Sequence, residues 1–255
     1  MDIEVRVGSM RIGAVIQARM GSARLPGKAM MYFAGNPLLQ YAIRRTRKAS
    51  KLNIVVVATS NDPGNDAIAQ LCAAEGVGVF RGEEDDVLDR FLQASRQYEL
   101  SVIVRLTADN PLVDPSIIDE SVEEFLLRKK EKDIHYLRSR GYPIGLNTEV
   151  FSIDALELAW KVARTPREKE HVTPVMYEQP MHFHSESYVT SRDLSTLRLT
   201  VDTFEDYENM ERLMQLLRSP IDATVNDVVE ALETHPDLLR KFSLKENTKS
   251  GHAHQ

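Results

Sequence analysis

Apolar and polar positions change period repeatedly along the first half of the chain. Short apolar runs over 12–16, 53–58, 77–80 and 101–106 each read as a buried strand. Helical spacing lies between and after them. It is carried by Leu38, Leu39, Ala42 and Ile43, then by a helix ending at Glu75 with Gly76 as its stop. It returns at Val87, Leu88, Phe91, Leu92 and Ala94, and at Ile117, Ile118, Val122, Phe125 and Leu126. Gly35-Asn36-Pro37 reads as a turn with Pro37 at the first position of its helix, and Asp114-Pro115 as a cap followed by proline. Arg44, Arg45, Arg47 and Lys48 read as a solvated helix face. Strands alternating with helices of roughly 10–15 residues predict βαβ units, hence an α/β fold with a mainly parallel sheet flanked by helices. Such sheets bind ligands outside the carboxyl ends of their strands.

The second half is less regular. A strand is expected over 133–138 and a turn-rich loop over 141–149; Ser152 is placed to cap a helix with Leu156, Ala159, Trp160 and Ala163. Another helix starts at Pro166, contains Glu170-His171 and breaks near Pro174. A strand over 197–201 leads into Asp202-Thr203, followed by a helix with Met210, Leu213, Met214 and Leu217 and a last one over 226–233. No repeat or low-complexity linker divides the chain. The expected organisation is one domain over 10–244, with 133–194 as a small inserted acceptor-binding or dimerisation segment. Residues 1–9 read as an optional or non-native leader and 245–255 as a frayed polar tail, with His252 and His254 given no role.

Composition narrows the function classes. A net charge of −6 argues against a nucleic-acid surface, so the basic residues that matter are expected to be gathered locally. The single cysteine, Cys72, lies in an apolar helical pattern, excludes an intramolecular disulfide and fits a reducing, cytoplasmic compartment. No apolar run reaches the roughly 18 residues of a membrane span, and no secretory signal is visible. His182-Phe183-His184 has alternating strand spacing, lacks a carboxylate or cysteine pattern and reads as structural rather than as a zinc site.

Positive charge is gathered directly after the first strand. Gly21 and Gly27 let backbone N–H groups approach a polyanion, and Arg19, Arg24 and Lys28 add fixed charge, with Lys28 read as an exposed loop lysine. The pattern predicts a phosphate-binding loop; the alternative is an ordinary basic turn. Five residues separate the glycines and Ala29 follows Lys28, so this is not a Walker A loop, and no G-x-G-x-x-G is present. A polyphosphate held with a hard divalent ion calls for carboxylates near that loop. Asp109 and Asp202, each at the end of an apolar run, are the candidates. Taken singly, Asp109 reads equally as a turn residue and Asp202 as a helix starter; together with the loop they favour Mg2+.

Ala18-Arg19-Met20-Gly21-Ser22-Ala23-Arg24-Leu25-Pro26-Gly27-Lys28 resembles the N-terminal signature of the cytidylyltransferases that activate Kdo and sialic acids, nearest to the SpsF-type branch. The resemblance implies a Rossmann-like nucleotide-diphospho-sugar transferase fold and a CTP triphosphate held by Ala18, Arg19, Gly21, Ser22, Arg24 and Lys28. It places Arg81 and Asp86 near the nucleotide, and Thr107, Asp109 and Asp202 in metal-binding segments; Thr107 and Asp109 also belong to the nucleotide set, to which Thr59, in the polar loop after the second strand, is added. Arg19, Lys28, Asp109 and Asp202 are the expected catalytic residues. On the acceptor side Asn110 is added, and Asn147, Glu149, Glu170 and His171 fall in G-L-N-x-E-V-F and E-H-V-T segments similar to those of SpsF-like members. His171 by itself reads as a helix-surface histidine. The implied reaction transfers CMP from CTP to an acidic sugar or phosphorylated small molecule and releases pyrophosphate, for surface polysaccharide synthesis. A homodimer is expected by the same analogy. The rival readings are a sugar-nucleotide-dependent glycosyltransferase of related fold and a non-catalytic nucleotide-binding protein.

Overall fold

The computed structural model describes residues 10–244. The expected leader, the expected tail, and His252 and His254 lie outside the described residues.

The first half builds a parallel half-sheet. β1 (Ile12–Gln17) leads through the basic loop and a two-strand hairpin, β2 (Tyr32–Phe33) and β3 (Asn36–Pro37), to α1 (Leu38–Thr46). Pro37 thus sits in the hairpin, just before the helix rather than inside it. β4 (Ile54–Ser60), α2 (Asp66–Glu75), β5 (Gly78–Gly82), α3 (Val87–Gln97), β6 (Val102–Thr107) and α4 (Pro115–Lys132) follow in strict alternation. Gly76 ends α2 in the left-handed region at φ 65°, which glycine adopts without a Cβ clash. β1 lies between β4 and β6, with Gln17 opposite both Ala58 and Thr107, so three carboxyl ends meet at one edge.

The second half completes the same sheet. β7 (Tyr136–Arg140), β8 (Glu149–Ser152) and β9 (Ser185–Val189) extend it to seven strands in the order β5-β4-β1-β6-β8-β7-β9. β8 runs antiparallel to β6 and β7; every other pairing is parallel. Segment 133–194 therefore adds three strands, together with α5 (Ile153–Val162), α6 (Pro166–His171) and α7 (Pro174–Glu178). Three helices end the described residues: α8 (Phe204–Leu216), α9 (Val225–Glu233) and α10 (Pro236–Phe242). The last was not expected from the pattern.

The pleat divides the core. Ala14, Ile16, Val55, Val57, Val102 and Val104 pack on one face with α1, α2 and α4; Val15, Val56, Ala58 and Ile103 pack on the other with α3 and α5. Three sequence expectations are corrected. Residues 197–201 do not form a strand of the sheet. They make isolated bridges to Ile144 and Ser243, and Leu197, Leu199 and Val201 pack with α8, α9 and α10. Arg45 is not on a solvated face: it is 1% exposed and donates to the carbonyls of Leu112, Val113, Pro220 and Ala223. His182 and His184 precede β9 rather than forming part of a strand. Cys72 is buried as expected, and burial pushes its thiol up to about 12.

Candidate active site

A cavity of about 390 Å³ opens where β1 and β6 end. The basic loop covers one side of it. Gly27 adopts φ 75°, a left-handed conformation that starts the short 3-10 turn over Lys28–Met30. That turn sends Lys28 inward, so the lysine is not the exposed loop residue expected: its side chain is only 15% exposed. Nζ donates to the carbonyl of Val201 at 2.8 Å and to Asp202 Oδ1 at 3.0 Å, and reaches Asp109 Oδ2 at 3.5 Å. The two aspartates come from distant parts of the chain and converge on one ammonium.

Asp202 is held from several sides. Arg24 pairs with it at 2.9 Å, Arg198 donates to it, and its backbone N–H donates to Asp206, the partner of the N-cap Thr203 in the capping box of α8. Burial alone raises its carboxyl; the hydrogen bond and charge of Lys28, then Arg24 and Arg198, more than offset this and leave it below the ordinary carboxylate value. Asp109 accepts from Thr107 Oγ1. Arg19 bridges Glu84 at 3.7 Å and Glu170 at 3.1 Å.

Ten of the expected residues line this one cavity: Ala18, Arg19, Ser22, Arg24, Lys28, Thr107, Asp109, Glu170, His171 and Asp202. Others serve the scaffold around it. Gly21 backs onto Glu84, whose Oε1 would lie 3.3 Å from an added Cβ. Thr59 is fully buried in β4, and its hydroxyl has no hydrogen-bond partner among the described residues. Arg81 ties down the loop after β4 through Ser60, Asp62 and Asp66. Asp86 caps α3 and pairs with Lys169 at 2.8 Å. Asn110 is buried and donates to the Gly145 carbonyl; Asn147 donates to the Tyr142 carbonyl at 3.3 Å. None of these six lines the cavity.

Glu149 also lies outside the cavity wall. It is buried on β8 opposite Arg105 and accepts from Arg105 at 2.6 Å, Tyr136 at 2.6 Å and Thr173 at 2.9 Å. Burial pushes its carboxyl up, but the Arg105 charge and the three donors outweigh this and hold it below its ordinary 4.5. A carboxyl depressed on folding contributes stability in full above its unfolded value and loses it as pH falls through the lower folded one. The urea midpoint is therefore expected to hold from about pH 7 to 5 and to drop below about pH 4, less steeply in Glu149→Gln. Equal acid sensitivity in wild type and variant would show that this carboxylate contributes none of the drop.

Two cavity cations were missed. Arg105 interrupts the apolar run of β6, and Arg90 sits among Val87, Phe91 and Ala94 on the apolar face of α3. A charged residue inside each apolar pattern was the available signal.

Among the described residues, no group of three or more His, Cys, Asp or Glu is placed to hold a metal by itself. Two carboxylates reaching one ammonium are nevertheless a donor set that fits a hard divalent ion whose other ligands are phosphate oxygens and water.

Comparison with known proteins settles the class. A family model described as cytidylyltransferase matches residues 13–245. The chain belongs to the cytidylyltransferase family. It is thus a CTP-dependent nucleotidyltransferase, which sets aside the glycosyltransferase reading. The cytidylyltransferase is 34% identical over 239 residues to the spore coat polysaccharide biosynthesis protein SpsF of Bacillus subtilis, covering 88% of this chain and 94% of that one. A solved cytidylyltransferase from Leptospira borgpetersenii superposes with a TM-score of 0.86 at 34% identity, over 92% of this chain and 99% of the other. The CMP:2-keto-3-deoxy-manno-octonic acid synthetase complexed with CTP shares the fold, with a TM-score of 0.62 at 16% identity over 80% and 98% of the two chains. No described helix is long and apolar enough to cross a membrane.

Proposed function

We propose that this cytidylyltransferase transfers CMP from CTP to a small acidic acceptor, a sugar acid or a phosphorylated molecule, in a Mg2+-dependent reaction. The observation that carries the reading is the convergence of Asp109 and Asp202 on Lys28 beneath a loop that also supplies Arg19 and Arg24. The acceptor oxygen attacks the α-phosphorus and the bond to pyrophosphate breaks. Asp109 and Asp202 would hold Mg2+, which when bound neutralises phosphate charge. Arg19 and Arg24 grip phosphate oxygens, and Lys28 turns from the aspartates to the charge that develops on the leaving group. Glu170 and His171 stand in the wall as acceptor-side contacts, with His171 available to take the acceptor proton. Similarity to SpsF supports a place in surface polysaccharide synthesis. A cytoplasmic homodimer is the working form we assign.

The test is pyrophosphate release from each of the four nucleoside triphosphates with Mg2+, against a panel of sugar acids and phosphorylated acids, with EDTA controls. Release confined to CTP and abolished by EDTA is expected; release with EDTA present would end the metal assignment. Lys28→Ala is expected to lower kcat roughly 100-fold, the scale of a lost transition-state charge contact. Its fold should persist, because Arg24 and Arg198 still neutralise Asp202. An unchanged kcat in Lys28→Ala removes the lysine from the chemistry.

A further inference from the structure

At one end of the cavity Arg105 reaches in from β6 with a side chain only 15% exposed. Of the five N–H donors of a guanidinium, Nη1 donates to Glu149 Oε2 at 2.6 Å and Nη2 to Gln17 Oε1 at 3.1 Å. Nε is buried with no hydrogen-bond partner among the described residues. Because Nε is closed off from the cavity, the donors left for a ligand there are the second hydrogens of Nη1 and Nη2. The other cavity cations have duties already. Arg19, Arg24 and Lys28 belong to the phosphate loop; Arg90 also has a buried Nε without a partner among the described residues, but its Nη1 is committed to the carbonyls of Glu83 and Glu84.

The scaffold behind Arg105 is unusually constrained. Glu149 is fixed by Tyr136 and Thr173, so its second oxygen presents one orientation to the guanidinium. Thr173 is itself anchored across a strained corner. Val172 adopts φ 67° and ψ −57°, and the Thr173 N–H donates to the His171 carbonyl at 2.7 Å. A β-branched residue rarely takes this γ-turn. Such strain persists only where the surroundings hold it; here Val172 is fully buried and Thr173 is tied to Glu149. The corner puts Glu170 and His171 into the same cavity wall as Arg105.

We propose that Arg105 is the oxyanion contact of the acceptor subsite, held in position by Glu149, and that the acceptor's carboxylate or phosphate takes donors the protein leaves open. A planar guanidinium fork suits either oxyanion. Glu149 is then a positioning residue and does not touch the acceptor. This inference rests on the cytidyl-transfer reading and deepens it.

The test uses the full chain saturated with CTP and Mg2+, so that the phosphate loop is filled. Pyruvate and inorganic phosphate are titrated separately by calorimetry, and the one that binds identifies a carboxylate or a phosphate site. Arg105→Lys keeps a charge beside Glu149 but loses the fork. The double variant Arg105→Gln/Glu149→Gln leaves neither charge buried alone. Both are expected to weaken anion binding at least about tenfold, the scale of a charged hydrogen bond, while CTP affinity changes less than about twofold. Glu149→Gln is expected to show the same split; a merely structural role would weaken both ligands together. Anion binding unchanged in Arg105→Lys, or none to the CTP-loaded wild type up to roughly 10 mM, overturns the inference alone. Parallel loss of CTP and anion binding in Arg105→Lys and the double variant overturns it as well. Failure of the wild type to bind CTP with Mg2+ defeats the cytidyl-transfer reading first, and this inference with it.

Discussion

Asp202→Asn is expected to lower kcat about 1,000-fold with little change in melting temperature. Asparagine keeps the size and one oxygen acceptor but loses the charge. Two consequences follow from the geometry. Lys28 Nζ, 3.0 Å from Asp202 Oδ1, loses half of its carboxylate pair, and a divalent ion loses one of two candidate anionic ligands. Metal stabilisation of phosphoryl charge is worth several kcal/mol, and each 1.36 kcal/mol is tenfold in rate, which gives the stated scale. Stability is protected in part because Arg24 and Arg198 are 63% and 30% exposed at the side chain and can turn to water. The readout is kcat across a Mg2+ titration beside a thermal melt. A right-shifted Mg2+ dependence with an intact melt supports the assignment. A variant as active as wild type at limiting Mg2+ would sink the two-aspartate site.

Much of the site was legible because its chemistry is local in sequence. The basic loop follows an apolar run directly, and Thr107 and Asp109 end another, so both fall at carboxyl ends of parallel strands by the logic of the fold. Asp202 was found for a partly wrong reason. The apolar run before it predicts a strand, yet that segment only bridges Ile144 and Ser243. Its apolar residues pack against α8, α9 and α10 instead, and packing alone produces the same pattern. Asn147 and Glu149 show the opposite failure. Sequence places them beside a glycine-rich loop, but only three-dimensional pairing reveals that Glu149 faces Arg105 across β6 and β8. Polar residues that act through a neighbour look identical in sequence to those that touch a ligand. Thr59 failed for a plainer reason. The polar loop was expected to begin there, but β4 runs through Ser60 and carries the hydroxyl into the interior.

Arg45→Met is expected to destabilise the protein by roughly 3–5 kcal/mol, one of the largest effects available outside the active site. By pattern this arginine belonged to a charged helix end. In the fold its guanidinium is enclosed, and burial lowers its pKa, while Asp114, Asp222 and Asp227 act in the other direction. Its donors satisfy four carbonyls: Val113 at 2.8 Å, Leu112 at 3.3 Å, Pro220 at 2.6 Å and Ala223 at 2.6 Å. Those carbonyls belong to two separate loops, one continuing from Asp109 and one between α8 and α9. Methionine fills the volume of the stem but offers no donor, so buried acceptors are left unpaired. For a chain of this size each kcal/mol moves the melting temperature by roughly 2–4 °C, so a fall of about 6–20 °C is expected. Calorimetry and a urea midpoint at fixed m-value read it directly. A melting temperature within about 2 °C of wild type would mean that water or a rearranged loop replaces all four bonds. Because Leu112 and Val113 follow Asp109 by three and four residues, the same variant is expected to lose activity at temperatures well below its melt. The arginine thereby couples the stability of α1 to the position of a carboxylate it never touches.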